Sequence, residues 1–177
     1  MATPAVTLRP MSVDELPLLA GWLGQPHVAE WWEGEPSDLP SVRANYAGHF
    51  DGTEKITMVV ISVDGGPVGW LEWYWLHDHL DYAEGFPLPP DAIGVDISVG
   101  DPGKVGRGVG RRALGLLLHE VLPAEAPGFS AVFIDPDPNN ERAVRCYAAA
   151  GFVATGDLLP NPSEPSTERK LMRFDPS

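Results

Sequence analysis

The stretch Lys104-Val105-Gly106-Arg107-Gly108-Val109-Gly110-Arg111-Arg112 restricts the fold of this chain more than any other. Before it, an apolar run over 92–99 reads as a central strand that ends ahead of Pro102-Gly103. After it, an apolar run over 113–122 reads as a helix. Three alternate glycines between strand and helix let the backbone come close to a ligand. The first helical N–H groups have no acceptor within the helix, and that end carries positive partial charge. Lys104, Arg107, Arg111 and Arg112 are four of the twelve basic residues of the chain. The chemistry suits a pyrophosphate with charge-assisted arginine contacts. The alternative is a flexible loop before a solvated basic helix start. The stretch is neither a P-loop, which needs GxxxxGK followed by Ser or Thr, nor a Rossmann fingerprint, because its glycines fall as GxGxG.

The strand that feeds this loop carries Asp96. A carboxylate inside an apolar strand is costly unless it is paired, hydrogen-bonded or used. A strand–loop–helix unit would bring it near a phosphate-bearing ligand. Asp96 thus serves either a ligand-directed purpose or a structural one beside the loop.

With 177 residues the chain is expected to form a single domain over 1–177. A net charge of −13 argues against nucleic acid and is compatible with a cationic ligand. From 56 to 103 there is no Lys or Arg, against eight acids that include Glu72, Asp78, Asp81 and Asp96. Such a segment would attract a polycation, or would simply be a solvated acidic surface. The one cysteine, Cys146, excludes an internal disulfide and a multi-cysteine zinc site. His77-Asp78-His79 alternates without further ligands, so no metal is expected. No apolar run is long enough to span a membrane and no signal peptide is evident, so the expected compartment is the cytoplasm. The oligomeric state is open.

Along the chain, 5–9 reads as a first strand. Ser12 reads as the cap of a helix over 13–23, followed by a short helix over 26–34 and a third over 38–50. Trp31 and Trp32 cannot share one helix face, so one packs inward and the other lines something or is exposed. The runs 55–63 and 68–76 read as a strand pair joined by a turn at Asp64-Gly65-Gly66-Pro67. The segment 77–90 reads as an acidic loop. Further strands are expected over 130–134, 152–158 and 167–174, with a helix capped by Asn139 or Asn140 and stopped by Gly151. The run 160–166, rich in Pro and Ser, reads as a surface loop. Strands mixed with helices predict an α/β fold with a mixed sheet.

Arg107-Gly108-Val109-Gly110 after a strand resembles the acetyl-CoA loop of the Gcn5-related N-acetyltransferase (GNAT) superfamily. Asn140-x-x-Ala143-x-x-x-Tyr147-x-x-x-Gly151-Phe152 resembles its second signature. Three segments look like the aminoglycoside 6'-N-acetyltransferases within it: His27-Val28-Ala29-Glu30-Trp31-Trp32, Gly94-Val95-Asp96-Ile97-Ser98, and Asp135-Pro136-Asp137-Pro138-Asn139-Asn140 running on to Tyr147. The likeness covers nearly the whole chain. It departs at Val105, where the superfamily often has Gln or Arg. Siderophore-biosynthesis N-acyltransferases, which act on a hydroxylysine-type amine, share Leu71-Glu72-Trp73-Tyr74-Trp75 and Asp135-Pro136-Asp137, but tend to carry His at the position of Asp96.

The resemblance implies a mostly antiparallel central sheet of six or seven strands flanked by helices. It implies acetyl transfer from acetyl-CoA to the 6'-amine of an aminoglycoside, with resistance as the result. Acetyl-CoA would be held by Ile97, Ser98, Val99, Lys104, Val105, Gly106, Arg107, Gly108, Val109, Gly110, Arg111 and Asn140. Asn140 would contact the pantetheine arm, cap its helix, or both. Asp96 would take the ammonium proton, directly or through water. A backbone N–H of Ile97-Ser98-Val99 would stabilise the oxyanion. Tyr147 would donate to the departing thiolate, unless it is ordinary helix packing. Trp32, Glu72, Asp78, Asp96 and Asp135 are the candidate acceptor contacts, with Asp81 a further choice; Asp135 otherwise serves the turn before Pro136. From a different class, the chain would be a non-catalytic acetyl-CoA-binding module.

Overall fold

The computed structural model of the protein describes residues 4–82, 84–161, 164 and 166–177. Seven strands are β1 (Val6–Pro10), β2 (Thr57–Val63), β3 (Gly66–Trp75), β4 (Ala92–Val99), β5 (Ala131–Ile134), β6 (Val153–Pro160) and β7 (Glu168–Phe174). They form one sheet in the order β1-β2-β3-β4-β5-β7-β6. The pairs β1/β2, β5/β7 and β6/β7 are antiparallel, and β4/β5 is parallel. A parallel pair needs a crossover, and here the chain between β4 and β5 is the glycine stretch and its helix. The sheet is the mixed, mostly antiparallel one expected.

Backbone contacts divide the chain into two units, Met1–Glu72 with Ile97–Ala113, and Trp73–Asp96 with Leu114–Ser177. In the first unit Ser12 opens the helical run as expected. Its Oγ accepts the Asp14 N–H at 3.1 Å, and Glu15 accepts the Ser12 N–H at 3.0 Å. A short 3-10 turn then leads into α1 (Leu16–Leu23). The helix expected over 26–34 is only α2 (Pro26–Ala29). Beyond it the Trp31 and Trp32 N–H groups both turn back to the Val28 carbonyl, and Gly34 adopts a φ of +80°. The third helix divides into α3 (Leu39–Tyr46) and α4 (Gly48–Asp51). Leu16, Leu19, Val42, Val60 and Trp70 are fully buried here, with Trp22 stacked on Trp70 at 5.9 Å.

Two glycines set the path of the chain at the end of β4. A Cβ on Gly69 would lie 2.3 Å from the Ser98 carbonyl oxygen, and one on Gly100 would lie 2.1 Å from Trp22. Neither place admits a side chain without displacing backbone or core.

The second unit buries Leu76, Ala92, Ala131, Phe133, Leu159 and Leu171, with Tyr74, Tyr82, Phe86 and Leu88 packed against them. The segment 77–90 is therefore more than an acidic loop: Tyr82, Phe86 and Leu88 fold inward, while Leu80 stays 80% exposed. α5 (Val109–Leu116) begins in the first unit and continues through a π turn, Leu117–Val121, into α6 (Leu122–Glu125). Pro123 has no N–H to return to the preceding turn and crowds it, which accounts for the widening. α7 (Glu141–Ala149) is capped by Asn140, whose side chain accepts the Ala143 N–H at 3.1 Å, and stops at Gly151 with a φ of +106°. In the run 160–166, β6 extends to Pro160, and residues 162, 163 and 165 lie outside the described residues.

Candidate active site

In the first unit, the Asp101 side chain accepts the Gly103 N–H at 2.8 Å, and the Lys104 N–H returns to the Asp101 carbonyl at 3.0 Å. Lys104 and Val105 thus leave a tight turn. Gly106 and Gly108 follow with φ of +72° and +76°, a region that favours glycine. An added Cβ at either would meet nothing within 4 Å, so these glycines supply backbone conformation and clear space, not room for a neighbour.

The helix starts at Val109, ahead of the expected 113. The glycines hid this start, because glycine lowers helix propensity by about 1 kcal/mol. Gly108 closes the first turn instead, its carbonyl accepting the Arg112 N–H at 3.2 Å. Val109, Gly110 and Arg111 therefore hold the first helical N–H groups, which have no acceptor in the helix, and buried Val109 fixes their position. This cradle fits a pyrophosphate. The arginines divide: exposed Arg107 donates from Nε to the Gly103 carbonyl at 2.8 Å, Arg112 donates to the Pro4 carbonyl at 3.0 Å, and Arg111 is exposed. Arg112 thus braces the start of the chain.

Ile97, Ser98 and Val99 are half-buried on the last part of β4. The Val99 carbonyl accepts a hydrogen bond from His27 Nε2 at 2.9 Å, which ties α2 to the strand end. Trp32 packs on Trp70 at 5.0 Å between ring centres, so this tryptophan is partly core. Glu72 is buried on β3 at 9% exposure.

The second unit holds Asp96, Asp135 and Tyr147 near enough to act on one another. Tyr147 is 9% exposed. Burial first, then the neighbouring Cys146, Asp96 and Asp135, pushes its phenol far above its usual range. Asp96 is half-buried, and the Tyr74 hydroxyl donates to its Oδ2 at 3.3 Å. Asp135 has partners of its own. The Tyr82 hydroxyl donates to Oδ1 at 2.9 Å, and Arg169 lies 3.6 Å from Oδ2. Burial raises the Asp135 carboxyl, opposed first by Arg169 and then by the Tyr82 hydrogen bond.

Asp78 lies 3.6 Å from His77 Nε2, while Asp81 is exposed. Asn140 serves its helix as a cap. The sequence reading did not single out Tyr74, Tyr82, Arg169 or His27 for this site. Tyr74 has one signal, its place two residues after Glu72 on a strand, where alternate residues share a face; the others bond across long sequence separations.

The acetyltransferase (GNAT) domain family matches residues 12–158. The chain is 30% identical over 164 residues to an aminoglycoside N(6')-acetyltransferase type 1 from Klebsiella pneumoniae, across 87% of this chain and 77% of that protein. It is 28% identical over 156 residues to the lysine N-acyltransferase MbtK of Mycobacterium tuberculosis (strain ATCC 25618 / H37Rv), across 87% of this chain and 71% of that protein. The structure of AAC(6')-Ib in complex with parmomycin and acetyl-CoA superposes with a TM-score of 0.82 at 27% identity, covering 97% of this chain and 93% of that one. With the glycine cradle at the start of α5 and the carboxylate on β4, these likenesses establish that the chain belongs to the GNAT acetyltransferases and, among them, to the aminoglycoside 6'-N-acetyltransferases.

Proposed function

We propose that the chain transfers the acetyl group of acetyl-CoA to the 6'-amino group of an aminoglycoside and so confers resistance to it. The observation that carries this reading is Asp96: a half-buried carboxylate on β4, one residue before the backbone that runs on to the glycine cradle.

Acetyl-CoA supplies the thioester carbonyl and the thiolate leaving group. The N–H groups of Val109, Gly110 and Arg111 hold its pyrophosphate, with Gly106 and Gly108 shaping the approach and Lys104, Val105, Arg107 and Arg111 along it. Asn140 adds a contact to the pantetheine arm beside its capping role. An acceptor amine arrives as ammonium and must lose a proton before it attacks; Asp96 attracts the cation and takes that proton. A backbone N–H among Ile97, Ser98 and Val99 faces the developing oxyanion.

Tyr147 holds its proton tightly, because burial disfavours the phenolate. It therefore steadies the thiolate by a hydrogen bond rather than by full transfer. Trp32, Glu72, Asp78 and Asp135 bind the rest of the acceptor, Asp135 with its charge shared with Arg169. We place this reaction in the cytoplasm. Among the described residues no helix is long and apolar enough to cross a membrane.

Release of CoA thiol tests the reading against kanamycin, a 6'-hydroxyl counterpart and N6-hydroxylysine. Turnover confined to 6'-amino compounds is expected. Turnover only with hydroxylysine would move the chain to the acyltransferase reading that the MbtK likeness favours. CoA binding without any turnover would leave a binding module. Asp96→Ala is expected to lower kcat by about a hundredfold or more with CoA affinity retained. Tyr147→Phe should lower kcat by about tenfold, the worth of one hydrogen bond to a charged group.

A further inference from the structure

The Tyr74 ring occupies a place built for it. It lies over Gly94, two residues before Asp96 on β4, where an added Cβ would sit 2.5 Å from Cε2 and 2.7 Å from Cζ. The His79 ring meets it edge-on at 4.8 Å, and the Tyr82 ring does so at 6.1 Å. Tyr82 is itself anchored by its hydroxyl on Asp135. Seated this way, the ring brings its hydroxyl to Asp96 Oδ2.

We propose that Tyr74, seated on Gly94 and braced by Tyr82, is a positioning residue that holds the Asp96 carboxylate in orientation for the acceptor amine. The inference rests on the reading of Asp96 as the base. A carboxylate on a short side chain rotates readily, and a base must meet its proton at hydrogen-bond distance. A phenol donor on one oxygen removes that freedom and favours the charged, proton-accepting form. At 3.3 Å the bond is longer than the usual 2.5–3.0 Å range for O–H···O, and tightening on acceptor binding accords with its role.

Among the described residues, the groups that face Asp96 within its unit include Tyr74 from β3, Tyr82 from the loop and Tyr147 from α7. His79 stands behind Tyr74, and Asp135 with Arg169 behind Tyr82. Burial keeps Tyr82 and Tyr147 protonated, so neither adds a titration on the acid side.

The test compares Asp96→Asn, Tyr74→Phe and Gly94→Ala with the unaltered protein, using kanamycin and acetyl-CoA. Its readouts are the pH profile of kcat/KM, the split between kcat and KM, and CoA binding. Tyr74→Phe keeps the ring and deletes the hydroxyl. Gly94→Ala keeps the hydroxyl and displaces the ring at its flexible end.

Both variants are expected to lower kcat by about tenfold, with CoA binding retained. In both, the acid limb of the profile should move to higher pH, because Asp96 loses a donor to its charged form. If Asp96→Asn is inactive while both other variants keep the native limb and kcat, the positioning role is overturned and the catalytic reading stands. If Asp96→Asn retains full turnover, the base assignment fails and the positioning role fails with it. A weaker protein with an unmoved limb would mark Tyr74 as packing alone and also overturn the proposal.

Discussion

Asp135 shows how a residue's surroundings decide what its charge can do. A turn aspartate before proline, at the end of a strand, invites a ligand ammonium. In the fold the same carboxylate faces Arg169 and accepts from Tyr82. An acceptor ammonium would add only a partly compensated attraction. Asp135→Asn should therefore raise the KM for kanamycin by less than about fivefold, the scale of about 1 kcal/mol for a screened pair. The same variant has a signature in stability. Burial lifts Asp135 above its ordinary value of 3.8, so the folded chain binds that proton more tightly than the unfolded chain. Its contribution is fully present below that ordinary value and is lost as pH rises through the raised one. The unfolding free energy of the native protein minus that of Asp135→Asn should thus fall as pH rises across this window, then stay level towards neutrality. Urea unfolding at a series of pH values checks this, and a difference that grows with pH would contradict the burial argument.

At the scale of elements, the proposed cofactor cradle depends on where α5 starts. Gly108 takes a φ of +76°, which costs an L-residue roughly 1–2 kcal/mol. Gly108→Ala should leave most of the fold intact, since its Cβ meets nothing within 4 Å, yet turn the first helical N–H groups away from their aim. The Kd for acetyl-CoA should rise by about tenfold or more, measured by calorimetry, with far smaller change in the thermal midpoint than in affinity. The same element shows what sequence discloses and what it conceals. Ser12, Asn140 and Gly151 announced their caps because capping is local chemistry between near neighbours. β4 was legible end to end, since its apolar run is bounded by breakers. The start of α5 was not, because the positive φ of Gly106 and Gly108 calls for glycine, whose low helix propensity blurs the boundary. The inward fold of 77–90 was masked by its acids, while Tyr82, Phe86 and Leu88 do the packing. Within the proposed site, the motifs single out Asp96 and Tyr147, and the fold brings the two into one unit. The bond from Tyr82 to Asp135 spans 53 residues and leaves no local trace.

At the scale of the whole molecule, charge is distributed unevenly around a net −13. Four cations crowd into 104–112, while 56–103 has none against eight acids. One ligand of the proposed reaction is an anion and the other a polycation, so the two should respond to salt through different groups. The acceptor meets the field of the whole acidic chain, which raises its local concentration and is screened beyond a Debye length of about 10 Å at 0.1 M salt. In the proposed cradle the cofactor meets N–H groups and a few cations at contact distance, where screening is weaker. Raising ionic strength from about 20 mM to about 500 mM should therefore raise the KM for kanamycin several-fold. The KM for acetyl-CoA should move much less. A monoamine acceptor should show little of the effect, because the field acts on each charge. Steady-state kinetics across this series separates the cases. If kanamycin and the monoamine respond alike, the acidic surface plays no part in recognition, and acceptor selection rests on contacts such as Asp96 alone.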